Sequence, residues 1–176
     1  MQTYRCTICG EAYIGSTRPS HCPFCGAHQN FLVLALEWSE QNIGLSLSEK
    51  TKEYLQKSLE LEIGNTSFYR CISQTVADPE ISGMFKFLSK VEREHASVIR
   101  KLLGLEKEDE GSSDCFPDIK KDLEETRTRE DKAINFYKEI VKEAPEPRIK
   151  IVFAALIQIE TDHFNLAEEK LKQLGF

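Results

Sequence analysis

The sequence predicts a mainly α protein: a four-helix bundle able to hold metal, preceded by a small metal-binding β/loop domain. Three observations lead there. Four of the six cysteines lie between Cys6 and Cys25 as two C-x2-C pairs, the chain beyond Leu47 reads as four capped helical segments, and the last two of those segments repeat the first two in register.

Size and charge remove several alternatives. The 176 residues are 40% hydrophobic and 30% charged, an ordinary globular composition. Apolar runs such as 151–157 are far shorter than the roughly 20 residues a membrane-crossing helix needs. The segment from Met1 to Gly15 lacks the basic-then-apolar pattern of a secretory signal, so a cytoplasmic protein is expected. The net charge of −6, without a basic stripe, argues against nucleic acid as a partner.

Cys6 and Cys9, then Cys22 and Cys25, can each place two thiolates on one ion, because the NH groups of a tight turn fold back onto the sulfurs. Gly10 and Gly26 follow each pair and permit the positive φ such turns need. Two disulfides would use the same residues, but only in a secreted fragment. Four thiolates suit zinc as a structural clip or iron as a one-electron carrier, and the spacing does not choose between them. His21 and His28 flank the second loop and are expected on the surface, since four sulfurs complete a tetrahedron. Of the other two cysteines, Cys71 is expected to be a buried small hydrophobe and Cys115 a loop thiol.

Residues 37–47, with Trp38 and Gly44, form a linker. The first helix is expected over 48–77, capped by Ser46 or Ser48. The second starts at Pro79 behind the cap Asp78 and stops at Gly104. A charged stretch, 105–116, reads as a solvated loop; the third helix spans 117–144 and the fourth runs from Pro147 to about Leu174.

Sliding the chain along itself until Glu62 falls on Glu130 also brings Tyr69 onto Tyr137, Pro79 onto Pro147, Glu92 onto Glu160 and His95 onto His163. The apolar pairs Leu55/Leu123, Phe68/Phe136, Ile72/Ile140, Ile81/Ile149, Phe85/Phe153 and Leu88/Leu156 coincide as well. One helical hairpin is therefore used twice, and two such hairpins build a four-helix bundle with an approximate twofold axis. Glu62 stands as far before Pro79 as Glu130 stands before Pro147, and Glu92 follows Pro79 at the interval by which Glu160 follows Pro147. At a helical rise of about 1.5 Å per residue, all four carboxylates sit about 20–25 Å from their turns, at one level of the bundle. Glu92 with His95 and Glu160 with His163 are i, i+3 pairs that share a helix face. Four buried carboxylates and two imidazoles cannot stand without cations; two Fe(II) or Mn(II) ions would neutralise them. Tyr69 and Tyr137, two turns beyond Glu62 and Glu130, suit a hydrogen bond to a ligand, radical quenching or plain packing.

The connection between the second and third helices is about 12 residues, longer than simple helix hairpins use. It can reach about 40 Å, the length of a roughly 24-residue helix, which favours a crossover, with exchange of helices between subunits as the alternative.

The segment Tyr4-Arg5-Cys6-Thr7-Ile8-Cys9-Gly10, with Tyr13 and Cys22-Pro23-Phe24-Cys25-Gly26, resembles a short rubredoxin, the run 31–34 serving as its closing strand. One Glu on each of two helices and Glu-x-x-His on the other two resembles the ferritin-like di-iron proteins. Together they make the chain similar to a rubrerythrin in reversed order: a rubredoxin-like domain at 1–36, a linker at 37–47 and a ferritin-like bundle at 48–176. The resemblance implies two irons in the bundle, one iron (or zinc) on the cysteines, and reduction of hydrogen peroxide to water with electrons from a redox donor protein. It implies Glu92 and Glu160 as bridging ligands, Glu62 and Glu130 as terminal ones, and His95 and His163 as one ligand each. It also implies a homodimer, in which the cysteine iron of one chain could serve the bundle of the other. One position departs: Ala133 stands where rubrerythrins commonly have a further Glu that trades places with a histidine, which leaves an iron-oxidising, ferritin-like site as the alternative.

Overall fold

The computed structural model describes residues 1–106 and 114–176; residues 107–113, within the expected loop, lie outside the described residues. Strands β1 (Gln2–Cys6), β2 (Ala12–Gly15) and β3 (Leu32–Leu34) form an antiparallel sheet in the order β2-β1-β3, so the expected closing strand pairs with the first. Four helices follow: α1 (Glu49–Thr75), α2 (Pro79–Leu103), α3 (Ile119–Glu143) and α4 (Pro147–Gln173). This is the expected ferritin-like bundle behind a small cysteine-bearing sheet.

The helix ends follow their side chains. Ser48 caps α1 by accepting from the Thr51 amide, Asp78 accepts from the amides of Glu80 and Ile81, and Gly104 closes α2 with φ 69°. The third helix begins at Ile119 rather than at Pro117, because Asp118 accepts from the Lys120 amide and leaves Pro117 outside as the approach to the cap. Glu146 precedes Pro147 and spends its carboxylate elsewhere: it takes the Ser48 amide and the Thr51 hydroxyl, each at 2.7 Å, tying the start of α1 to the α3–α4 turn.

Cross-helix contacts fix the topology. Tyr69 on α1 reaches Glu130 on α3 while Tyr137 reaches Glu62, so α1 and α3 are antiparallel. Since α1 and α2 form a hairpin, α2 and α3 run parallel, and the end of α2 and the start of α3 lie at opposite ends of the bundle. All four helices of a single chain meet. Five of the six apolar repeat pairs are buried in both copies; the exception is Phe68/Phe136, where Phe136 is half-buried.

One expectation needs correction. Cys71 and Cys115 are joined in a disulfide, with Cα atoms 5.8 Å apart, rather than standing as a buried thiol and a loop thiol. Cys115, just ahead of α3, lies beside the C-terminal part of α1, a proximity that a sequence separation of 44 hides from local patterns. Closing a loop of that length restrains the unfolded chain, so Cys115→Ser should lower stability by about 2–4 kcal/mol. Thermal melting with and without a thiol reductant checks this: reductant should lower the wild-type midpoint and leave the variant unmoved.

The segment read as a linker, 37–47, packs against the first cysteine turn. Trp38 Nε1 donates to the Cys6 carbonyl at 3.1 Å while its ring lies under the Arg5 guanidinium. Asn42 is 2% exposed and donates to the Ile8 carbonyl at 2.7 Å. Among the described residues no helix is long and apolar enough to cross a membrane.

Candidate metal centres

The sheet presents Cys6 and Cys9 on one turn and Cys22 and Cys25 on the other, all four buried. Gly10 and Gly26 adopt the expected positive φ, 87° and 75°. Each turn closes with a backbone hydrogen bond of 2.9 Å from the glycine amide to the first cysteine's carbonyl. The amides of Ile8 and Glu11 point at the sulfurs of Cys6 and Cys9, at 3.4 and 3.5 Å. The ligand atoms of all four lie within 4.8 Å of one another. Hydrogen bonding among the thiols lowers the pKa of Cys6 and Cys22, while Cys22 and its neighbours raise Cys9 and Cys25. Four thiolates therefore need a cation to coexist.

In the bundle the six expected side chains converge as two overlapping sets: Glu62, Glu92, Glu160 and His95, and then Glu130, Glu92, Glu160 and His163. Glu92 and Glu160 belong to both. Glu160 places Oε1 3.1 Å from His95 Nδ1 and Oε2 2.9 Å from His163 Nδ1. Glu92 divides its oxygens the same way, 3.3 Å to His95 and 3.0 Å to His163. Glu62 faces only His95, at 3.6 Å, and Glu130 only His163, at 3.8 Å.

The fit of a metal pair is tested by what these atoms lack. Glu62 Oε2, Glu92 Oε1, Glu130 Oε2, both Glu160 oxygens and His163 Nδ1 are buried without a hydrogen-bond partner. They are close to one another but misaligned for hydrogen bonding, as donors aimed at shared central points would be. Unpaired buried carboxylates are costly, and oxygen with imidazole nitrogen is the donor set of iron or manganese.

The titration behaviour agrees. Burial, reinforced by Glu160, pushes Glu62 well above the usual carboxylate range; burial and Glu92 do the same to Glu130. Burial also opposes ionisation of Glu92, but the His163 and His95 rings overcome it and hold that carboxyl low. Burial would lower both imidazoles, yet the surrounding carboxylates carry His95 and His163 well above their ordinary value. The tyrosines cross the bundle: the Tyr69 hydroxyl donates to Glu130 and that of Tyr137 to Glu62. Burial raises both phenols, so they keep their protons and act as donors.

The two clusters meet within one chain. His95 Nε2 lies 2.9 Å from the backbone carbonyl of Cys25. A carbonyl only accepts, so Nε2 carries a proton, which leaves Nδ1 as the nitrogen that could supply a lone pair to a metal once its own proton is displaced. Lys101 donates to the Cys9 carbonyl at 3.1 Å, and Arg148 reaches Asn42 and the Thr7 carbonyl. These docking residues, with Trp38 and Asn42, escape sequence reasoning: each makes a long-range contact with no local motif.

The family profile described as Rubrerythrin matches residues 53–172, and that of the rubrerythrin rubredoxin-like domain matches residues 4–32. The chain belongs to the rubrerythrin family. As a rubrerythrin it has a di-iron site in the bundle and a one-iron site on the cysteines, which the two buried clusters fit. Its reversed domain order matches a curated relative, Reverse rubrerythrin-1 of Clostridium acetobutylicum, 29% identical over 115 residues. That match covers 59% of this chain and 63% of the relative, so the chain spans less than two thirds of the relative's length. Two crystal structures of KatB, a manganese catalase from Anabaena, share the fold at 17% and 19% identity, with TM-scores of 0.58 and 0.60 over 78% of this chain and 80% of theirs.

Proposed function

We propose that this rubrerythrin is a non-haem di-iron peroxidase that reduces hydrogen peroxide to water, with electrons delivered through the cysteine-held iron and replenished by a redox donor protein. The observation that carries this reading is the His95 ring, whose Nδ1 faces three carboxylates while its Nε2 donates to the carbonyl of Cys25. A single imidazole thus joins the two clusters inside one chain.

In this reading Cys6, Cys9, Cys22 and Cys25 would hold one iron, and the bundle pair would be held by Glu92 and Glu160, which belong to both ligand sets, together with Glu62 and His95 on one side and Glu130 and His163 on the other. The bound irons supply the electrons and the positive charge that peroxide reduction needs. Tyr69 and Tyr137 each donate to one oxygen of a terminal carboxylate and fix its orientation; in Glu62 the other oxygen faces His95. A cleft of about 670 Å³, lined by Phe87, Ile159 and His163 among others, leads to the His163 side. The His95 side is covered by the cysteine turn. The same cleft is lined by Cys22, Pro23 and Gly26, so substrate would reach the His163 side along the second cysteine turn.

Metal analysis with visible spectra of the reduced protein, before and after peroxide, tests this. Three irons per chain, with thiolate-to-iron bands that bleach on reduction and return with peroxide, are expected. One zinc and two irons without visible bands would overturn it in favour of an iron-oxidising protein with a structural zinc. Ala133 is the observation behind that second reading: it is 2% exposed, one turn beyond Glu130, and its methyl group can ligate nothing.

A further inference from the structure

Outside the two clusters, three potential ligands meet where the cysteine module touches α4. His21 and His28 flank the second cysteine turn, and Asp162 immediately precedes His163. His28 Nε2 lies 2.7 Å from Asp162 Oδ2, and His21 Nε2 lies 3.7 Å from the same oxygen. One ligand atom from each falls within 4.8 Å of the others.

We propose that His21, His28 and Asp162 form a third cation site, for a divalent first-row transition metal such as zinc, that clamps the cysteine module to α4. The backbone arranges the ligands in advance. His21 and His28 form an isolated antiparallel β-bridge, which holds their ring centroids 4.8 Å apart at an interplanar angle of 85°. Such a pairing projects both side chains to one side of the turn. Ser20 Oγ lies 3.0 Å from His21 Nδ1; with the imidazole proton held there, Nε2 keeps its lone pair for a metal.

Two imidazoles and one carboxylate are a recurring donor set for zinc with an open coordination position. The open position exists here: the side chains of His21, His28 and Asp162 are 50%, 34% and 47% exposed, so solvent can complete the coordination. Without a cation, His28 alone reaches Asp162 at hydrogen-bond distance and His21 stands off. A cation would draw both rings towards the carboxylate. Because His21 and Asp162 also line the cleft leading to His163, occupation would narrow its rim. The site itself does not depend on the peroxidase reading.

The test uses the full chain as purified, with its resident metals counted first, dialysed against micromolar zinc chloride. One additional zinc per chain is expected, with iron content unchanged. His21→Ala and His28→Ala should each weaken that uptake by more than the roughly tenfold expected for Ser20→Ala, which removes only the hydroxyl orienting the ring. Retained resident metal in each variant shows that the fold survives. As a second readout, cobalt(II) should give visible ligand-field bands that the histidine variants lose. The proposal is overturned if zinc does not bind, if it enters only as iron leaves, or if both histidine variants bind it as wild type does. In those cases His28 and Asp162 are a plain hydrogen-bonded contact.

Discussion

Glu92→Ala should reduce peroxide turnover to background, a loss of at least about 10³-fold, or roughly 4 kcal/mol of activation free energy. Glu92 is one of two carboxylates whose oxygens are shared between His95 and His163. Removing it deprives both halves of the cage of a ligand at once, and Glu160→Ala should behave in the same way. Tyr69→Phe is the contrast. It leaves every ligand in place and removes only the donor to Glu130, so its loss should lie near the tenfold end of what orienting partners of metal ligands contribute. Steady-state peroxide reduction with a chemical electron donor, alongside iron content, checks both. Full activity in Glu92→Ala would remove that residue from the catalytic centre.

Stripping the bundle metals should lower the melting temperature by about 10–20 °C at neutral pH. Each ion present at 100 times its Kd adds about 2.7 kcal/mol, and a chain of this size moves about 2–4 °C per kcal/mol. The pH dependence of the stripped protein follows from the shifts. Glu62 and Glu130 are raised in the folded state, so their contribution falls as pH climbs from the ordinary 4.5 through their folded values. His95 and His163, also raised, contribute stability that is complete below 6.5 and lost as pH rises through theirs. Glu92, held low, contributes above 4.5 and loses that contribution as pH falls through its lowered value. Stripped protein should therefore be most stable in weak acid and weaken towards alkaline pH. Metal binding displaces protons, so the loaded protein should show the opposite trend and the gap should widen with pH. Calorimetry from weakly acid to alkaline pH measures this; equal melting points with and without metal would contradict a buried six-ligand cage.

The sequence carried the cage because its geometry is periodic. Glu62, Glu92, Glu130 and Glu160 stand at fixed intervals from Pro79 and Pro147, and helix rise converts those intervals directly into height. The cysteine turns were legible for the same reason: their ligands are local and a glycine follows each pair. Contacts between elements without a common period were not legible. Nothing near Cys25 announces the distant His95, and nothing near Cys71 announces Cys115. Trp38 and Asn42 fall in the stretch read as a linker, and Arg148 falls in the fourth helix without a motif around it. Their role depends on where the module lands, which is set by shape and by carbonyl acceptors that no side-chain pattern records.

The imidazole of His95 has a thermodynamic consequence of its own. Its ring orientation is fixed from one side by the carboxylates and from the other by the Cys25 carbonyl, so whatever orders one side preorganises the other. Filling of the two centres should then be coupled, and any coupling must be reciprocal: whatever factor cage metal added to affinity at the cysteines, cysteine metal would add to affinity at the cage. A chain with one centre filled would be a poorly populated species during assembly, and His95 would be the residue through which each centre senses the occupancy of the other.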